Sequence, residues 1–345
     1  MMLRRRHLLA TGLAAPLLGG AHAASAQATT LRVTHFGGPY QILSEIAGQP
    51  FEAAKGARVA YSVEISPSAL TKLQTQKASP PFDVVLFSRA YGLRAMNGGL
   101  LHKVSRSDFP EAAHALPDTV PEAGWGAAMM IDSIDMMARR DLVGEPMTSW
   151  FDLWRPALRG KVMLPSAVNG ATAFGFIACI VHALGDMKSP ATANEAFARL
   201  KALKPAVRGF YVDPIQPNQM IERGDIAAAP QFAVRVANSA RNTPEVVKVT
   251  PKEGVLAVPY DLCIPVNSPS IALAKSYIDF LLTKPVQGAL AEKLLASPVR
   301  TDVTVPPALA PLVTTDPTRL FFQDEEFAAA KQREWLDRYT REVQN

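Results

Sequence analysis

Six histidines and two cysteines are the side chains of this chain best suited to metal binding or nucleophilic chemistry near neutral pH. His7, His22, His35, His102, His114 and His182 are scattered, and no two stand at a metal-ligand spacing. Cys179 and Cys263 each sit inside an apolar run, GFIACIVHAL and YDLCIPV, and read as free buried thiols rather than a disulfide or a metal pair. The carboxylate pairs Asp132/Asp135 and Glu325/Glu326 read as solvated or helix-capping residues. No nucleophile elbow, zincin, Walker or Cys-x-x-Cys motif occurs. GWGAAM begins like a dinucleotide loop but lacks the third glycine and the acidic residue that follows it. No catalytic residue, metal ligand or cofactor is therefore assigned. His182 reads as a core residue. His35 ends the first strand, where open α/β sheets place their binding crevice, and is a candidate to line a site.

The elements that must position any site alternate. TTLRVTHF is a short strand stopped by Gly37-Gly38-Pro39, and YQILSEIAGQPFEAAKG follows with helical spacing and a terminal glycine. ARVAYSVEI is a second strand, SALTKLQTQKA a second helix, and PFDVVLFS a continuous apolar run of the kind buried on both faces of a sheet. That order predicts an α/β layer architecture. From Trp125 the texture changes. WGAAMMIDSIDMMARR is methionine-rich and strand-like, and marks where the chain leaves its first lobe. A strand (KVMLPS) and an apolar helix (ATAFGFIACIVHALG) follow. Next come an amphipathic helix (ATANEAFARLKALKP), a short helix with a turn at Gly224, and a further strand. EGVLAVPYDLCIPV is a strongly apolar return strand. A helical pair interrupted at Pro285 and an amphipathic terminal helix complete the chain.

At the amino end, Arg4–Arg6 precede an apolar run broken by Pro16, Gly19 and Gly20, followed by the small-residue stretch Ala21-His22-Ala23-Ala24-Ser25-Ala26. Residues 1–28 read as an export signal, with Arg5-Arg6 giving it a twin-arginine look, and the mature chain is expected to begin near Gln27 to Thr29. With no cysteine near that cleavage region, a free periplasmic protein is expected. The formal charge of +5 falls to +2 once Arg4, Arg5 and Arg6 leave, so the basic balance carries no case for nucleic-acid binding. A composition of 48% hydrophobic and 19% charged residues is that of a folded protein, and the length suits two lobes.

PMTSWFDLWRPALRGKVMLPS resembles a stretch of the periplasmic solute-binding proteins of ABC importers, in the spermidine/putrescine and iron types. Their Ser-Trp-x-x-Leu-x-x-Pro-x-x-x-Gly-Lys-Val run is matched by Ser149, Trp150, Leu153, Pro156, Gly160, Lys161 and Val162. LRVTHFGGPY, PFEAAKGARV, FDVVLFS, NGGLLHKV, ERGDIAAA, PKEGVLAVPYDLCIPVNSP and AKSYIDFLLTKPVQGALAE are similar to further family segments, in order, across nearly the whole mature chain. The resemblance implies a type II periplasmic-binding-protein fold: two α/β lobes joined by two crossover segments, with 29–128 and 255–345 forming lobe 1 and 129–254 lobe 2. It implies a monomeric, non-enzymatic receptor that takes a small-molecule solute into the interlobe cleft and hands it to permease subunits. An exported enzyme using the same cleft and a ligand-sensing subunit of a membrane receptor are the alternatives. Within the Trp run, Ser149 is expected to cap a short helix, with Trp150 and Trp154 on one face packing into the second lobe.

Candidate ligand residues follow from strand ends and helix starts. Phe36, Gly37, Gly38 and Tyr40 follow the first strand, and Asn169 and Thr172 open the apolar helix of the second lobe. The resemblance adds Ser88, at a position where polyamine binders contact ligand, and Phe232, at the position of a cleft aromatic. Tyr91 lies near Ser88, and Tyr211 and Asp213 lie in a turn expected to face the cleft. Polyamine binders carry Trp-x-Asp on the return strand, whose carboxylate pairs with the amine. Here that stretch is Val258-Pro259-Tyr260, and Asp261 falls one step late, facing the other side of a strand. Tyr260 thus takes the acid's place. An amine, an organic anion or amino-acid-like solute held by Arg89, Arg208 or Arg235, and ferric iron all stay open as ligands.

Overall fold

The structure is a computed structural model and describes residues 29–345; the export-signal reading of 1–28 lies outside the described residues. Among the described residues no helix is long and apolar enough to cross a membrane. In chain order the strands are β1 (Thr30–His35), β2 (Arg58–Val63), β3 (Val85–Ser88), β4 (Val104–Ser105), β5 (Ala123–Gly124), β6 (Gly126–Arg139), β7 (Val162–Pro165), β8 (Val207–Tyr211), β9 (Ala228–Phe232), β10 (Val246–Val249), β11 (Val255–Cys263) and β12 (Leu320–Phe321). The α-helices are α1 (Gln49–Lys55), α2 (Ser66–Thr75), α3 (Arg89–Asn97), α4 (Gly170–Leu184), α5 (Pro190–Ala202), α6 (Gln216–Glu222), α7 (Ala233–Asn242), α8 (Ile271–Leu281), α9 (Lys284–Lys293) and α10 (Glu325–Tyr339).

Two sheets share one long strand. β1 pairs in parallel with β2, and a Val33–Val84 bridge sets β3 on its other side. β11 runs antiparallel to both β3 and β6, giving the order β2-β1-β3-β11-β6. The buried run Phe82–Phe87 enters this sheet covered on both faces, as its unbroken apolar character predicts. Beyond Ser133 the same strand β6 changes sheets: Ile134–Ala138 pair with β9 and Met136–Arg139 with β10. β9 leads on to β7 and β8, so the second sheet reads β10-β6-β9-β7-β8. β6 and β11 are thus the two crossover segments of a fold with two α/β lobes, as the resemblance implied.

The cores divide accordingly. Leu31, Val33, Leu86, Met129, Ile131, Tyr277 and Leu290 belong to one cluster. Ile134, Trp150, Leu164, Phe176, Phe197 and Trp335 belong to another. The last residues depart from the expectation that all of 255–345 lies in lobe 1. α10 is capped by Asp324, which accepts the Glu326 and Phe327 N–H groups at 3.0 Å, and it buries Trp335 and Tyr339 in the second cluster. Trp335 stacks on Phe174 of α4 with centroids 5.5 Å apart. The aromatic face of the terminal helix packs there against Phe174 and Phe197. α7, in the stretch AVRVANSARN, is a helix the sequence reading did not separate from the strand before it.

The tryptophan segment is a 3₁₀ helix, Trp150–Trp154. Ser149 caps it as expected: its hydroxyl accepts the Phe151 N–H at 3.1 Å, while the Asp152 carboxylate accepts the Ser149 N–H at 3.0 Å. Trp150 is fully buried, donates its indole N–H to the Gly254 carbonyl at 2.9 Å and lies 5.8 Å from the Phe176 ring. The tighter three-residue turn breaks the expected shared face of Trp150 and Trp154. Trp154 instead pairs with Phe151, centroids 5.8 Å apart, at the edge of the lobe. Cys179 and Cys263 are free and buried.

Candidate functional site

The strand ends of the first sheet and the helix starts of the second lobe meet around an opening of about 710 Å³. Phe36, Gly37, Gly38, Pro39, Tyr40 and Tyr260 line it from one lobe, and Asn169, Thr172, Phe232 and Arg235 from the other. A second space of about 360 Å³, lined by Ser88, Arg89, Tyr91, Gln323 and Glu325, adjoins it through the shared walls Phe36, Ile65, Phe232 and Tyr260. The crossover strands contribute Asp132 of β6 to the larger space and Leu256–Tyr260 of β11 to the adjoining one.

The turn after β1 is held from below. His35 is buried beside Tyr61, and its Nδ1 accepts the Gly37 N–H at 2.9 Å. Burial lowers its tendency to protonate. His35 thus braces the turn and does not line the site. Gly37 adopts φ 79°, a region open to glycine, and this swing brings Phe36 and Tyr40 over the opening. Phe36, Tyr40 and Tyr260 then form a wall of edge-to-face rings, with centroids 5.4 Å (Phe36–Tyr40), 5.3 Å (Phe36–Tyr260) and 6.4 Å (Tyr40–Tyr260) apart. Phe232 completes the aromatic lining at the end of β9.

Charge enters mostly as acid. Asp132, in the middle of β6, lines the larger space, is 4% exposed, and accepts the N–H groups of Ser133 at 2.9 Å and Val234 at 3.1 Å. Burial pushes its carboxyl up to about 7 against the pull of those donors and of Arg235. Glu222, exposed at the same opening, accepts the Ser239 hydroxyl at 2.6 Å. Glu325, in the adjoining space, is raised to about 7 by burial, with Arg89 pulling the other way. The sequence reading of Asp132/Asp135 as solvated is overturned: Asp132 faces the cleft, and Asp135 is fully buried with Lys248 at 2.7 Å. Glu325, too, is drawn into the cleft, while Glu326 stays exposed. The signal was available, since two acids inside the apolar run MMIDSIDMM have no solvent to face in a strand shared by two sheets.

Of the basic candidates, Arg89 is spent on Asp261 through a two-pronged pair at 3.0 and 2.8 Å. Asp261 is buried on the side of β11 away from Tyr260, as its one-step offset predicts, with a register shift between the two. Arg235 lines the larger opening; Arg208 is exposed on β8 and lines neither space. Asn169 accepts the Thr172 hydroxyl at 3.0 Å, yet its amide nitrogen is buried and unpartnered at the cavity. The Gln323 side-chain oxygen is likewise buried and unpartnered beside Glu325; nothing in the sequence reading pointed to it.

Phe36, Gly37, Gly38, Tyr40, Asn169, Thr172, Phe232 and Tyr260 therefore gather at the larger opening, and Ser88 and Tyr91 at the adjoining one. Two expected residues do not join them. Tyr211 is fully buried, donating its hydroxyl to the Pro230 carbonyl at 2.6 Å, because its strand turns it into the sheet's other face. Asp213 is exposed and accepts the Ile215 N–H at 2.9 Å, which fixes the turn into α6. Among the described residues no group of three or more His, Cys, Asp or Glu could hold a metal ion.

Two α/β lobes on shared strands, with a polar-and-aromatic cavity lined from both, define a binding protein of the periplasmic type. The sequence model of the family described as "Bacterial extracellular solute-binding protein" matches residues 47–320, and this chain belongs to that family. It is similar to the spermidine/putrescine-binding periplasmic protein of Escherichia coli (strain K12), 27% identical over 324 residues, covering 88% of this chain and 89% of the relative. Among solved structures it is similar to an ABC transporter from Clostridium perfringens ATCC 13124, with a TM-score of 0.78, 26% identity, and coverage of 91% of this chain and 100% of the other. It also shares its fold with a spermidine/putrescine ABC transporter substrate-binding protein from Streptococcus pneumoniae, with a TM-score of 0.76, 15% identity, and coverage of 92% and 100%.

Proposed function

We propose that this protein captures a small solute bearing a protonated amine in its interlobe cleft and delivers it unchanged to the permease subunits of an ABC importer. It does so as a monomer in the periplasm, after residues 1–28 have directed export. The observation that carries the amine reading is the pairing of an aromatic wall with unpaired acids. Phe36, Tyr40, Tyr260 and Phe232 line the same opening as Asp132, where aromatic rings can take a cation, and Asp132 has no basic ion-pair partner among the described residues. Of the two guanidiniums at the cleft, Arg89 is already neutralised by Asp261, and Arg235 lies exposed at the mouth of the larger opening, beside the acids Asp132 and Glu222. The unpartnered Asn169 amide supports a hydrogen-bond acceptor elsewhere on the same solute, as in an amino-acid-like molecule. Closure follows if the solute binds the closed arrangement better than the open one, because it is then touched by both lobes.

The test is a thermal-shift screen of the mature protein against amines, amino acids, phosphonates and organic acids. A true ligand at about 100 times its dissociation constant adds roughly 2.7 kcal/mol of stability. Stabilisation by amines and amino-acid-like amines supports the reading; stabilisation confined to organic acids removes it.

A further inference from the structure

β6 carries two buried carboxylates three residues apart, and their surroundings differ in kind. Asp135 is fully compensated: Lys248 of β10 lies at 2.7 Å, and the Ser133 and Thr250 hydroxyls donate to it at 2.5 and 2.8 Å. Asp132 receives only two backbone N–H groups, both at Oδ1, and turns toward the cleft. A carboxylate so enclosed and so poorly compensated relieves its desolvation by holding a proton. The groups that face it are Asp135 on its own strand, Arg235 from α7, Tyr40 from the turn after β1, Tyr260 from β11, and Glu222 from α6 across the opening. Arg235 alone among them is basic, and it lies exposed at the mouth. Asp132 also stands in a telling place. Its register partner on β11 is Val258, next but one to Tyr260, where the resemblance leads one to expect the amine-pairing acid. Neighbouring strands lie about 4.8 Å apart, so an acid lost from β11 is replaced by one on the adjacent strand.

We propose that Asp132 is the residue that reads the solute's cation, and that it gives up a proton to solvent as the cation docks. The inference rests on the amine reading above. In the unliganded cleft the group is a neutral acid. When an ammonium group comes against it, the O–H bond ionises, the electron pair stays on the carboxylate and the proton passes to the buffer. The ammonium keeps all of its own protons, so an ion pair replaces a buried neutral acid. Burial sets the unliganded carboxyl at about 7, so the exchange is nearly complete below that pH and vanishes above it.

The experiment is calorimetric titration of the mature protein with 1,4-diaminobutane, spermidine and 4-aminobutanoate, in pairs of buffers with different ionisation heats. Whichever probe binds should release close to one proton per site at pH 6 and close to none at pH 8.5. Its affinity should rise with pH across that interval. Asp132→Asn, whose folding is checked by its melting curve, should bind about tenfold or more weakly, with most of the proton release and of the pH dependence lost. Glu325→Gln separates the second raised carboxyl and should leave most of the proton release in place. A probe that binds without proton exchange, or an Asp132→Asn protein that binds as tightly as the wild type, overturns the assignment to Asp132 and leaves the amine reading standing. Binding by organic acids alone, with every amine inert, removes the amine reading itself.

Discussion

At the scale of single residues, the cleft acids set the pH response of the unliganded protein. Asp132 and Glu325 are both raised to about 7 in the folded state, above the ordinary carboxylate range. Between about pH 4 and pH 7 the native chain therefore binds more protons than the unfolded one, and stability falls as pH rises through that window. Asp132→Asn keeps an oxygen for the Val234 N–H and removes the charge. It should be more stable than the wild type at pH 8 by a few kcal/mol, since each tenfold difference in proton affinity between folded and unfolded chains is worth about 1.36 kcal/mol. At pH 4.5 the two proteins should be about equal. Melting curves at the two pH values check this, and an equal effect at both would contradict it. On the aromatic wall, Phe232→Ala and Tyr260→Ala should each weaken the best ligand while leaving the fold intact. The site was legible only in part at this scale. Strand ends and a family offset pointed to Phe36, Tyr40, Phe232 and Tyr260, which share one cavity wall, because backbone position alone brings them there. Asp132 was missed because a strand pattern does not say which face becomes a cavity, and Tyr211 was misplaced for the same reason.

At the scale of elements, the segment that holds the second lobe together is the capped 3₁₀ turn of Trp150–Trp154. Glu253 accepts both the Ser149 hydroxyl at 2.5 Å and the Trp150 N–H at 3.1 Å, tying this turn to the start of β11. Trp150→Ala should cost about 3–5 kcal/mol, and Trp154→Ala distinctly less, because only the first is fully enclosed. Denaturant titrations measure the difference; equal losses would contradict the packing described. Gly175 of α4 is a second tight point, since a Cβ there would stand 2.6 Å from Ile134 Cγ1 on β6. Gly175→Ala should destabilise by about 1–3 kcal/mol through overpacking. The strand–helix alternation was readable from periodicity, and α7 was not, because AVRVANSARN follows β9 without a turn residue between them.

At the scale of the whole molecule, β6 runs through both sheets, β11 passes from the second core at Val255 and Leu256 into the first sheet, and the chain crosses once more to seat α10 in the second core, so these segments link the lobes. Asp132 of β6 and Tyr260 of β11 also line the larger opening, so two of the linking strands carry part of its wall. Under the proposed function, a solute held between Phe36 and Tyr260 on one side and Phe232 and Asn169 on the other would favour the closed arrangement by its contacts with both. Small-angle scattering should show contraction on adding the best ligand. The two-lobe layout was foreseen because ordered resemblances ran along nearly the whole chain. The allegiance of α10 was not, since its aromatic face fits either lobe until α4 is seen beside it.

Native mass spectrometry after incubating the mature protein with a mixture of diamines, amino acids, phosphonates and organic acids tests the central claim most directly. The account requires one amine-bearing molecule per chain, released on unfolding at its original mass. Retention of acids alone, or recovery of a compound whose mass has changed, would contradict it.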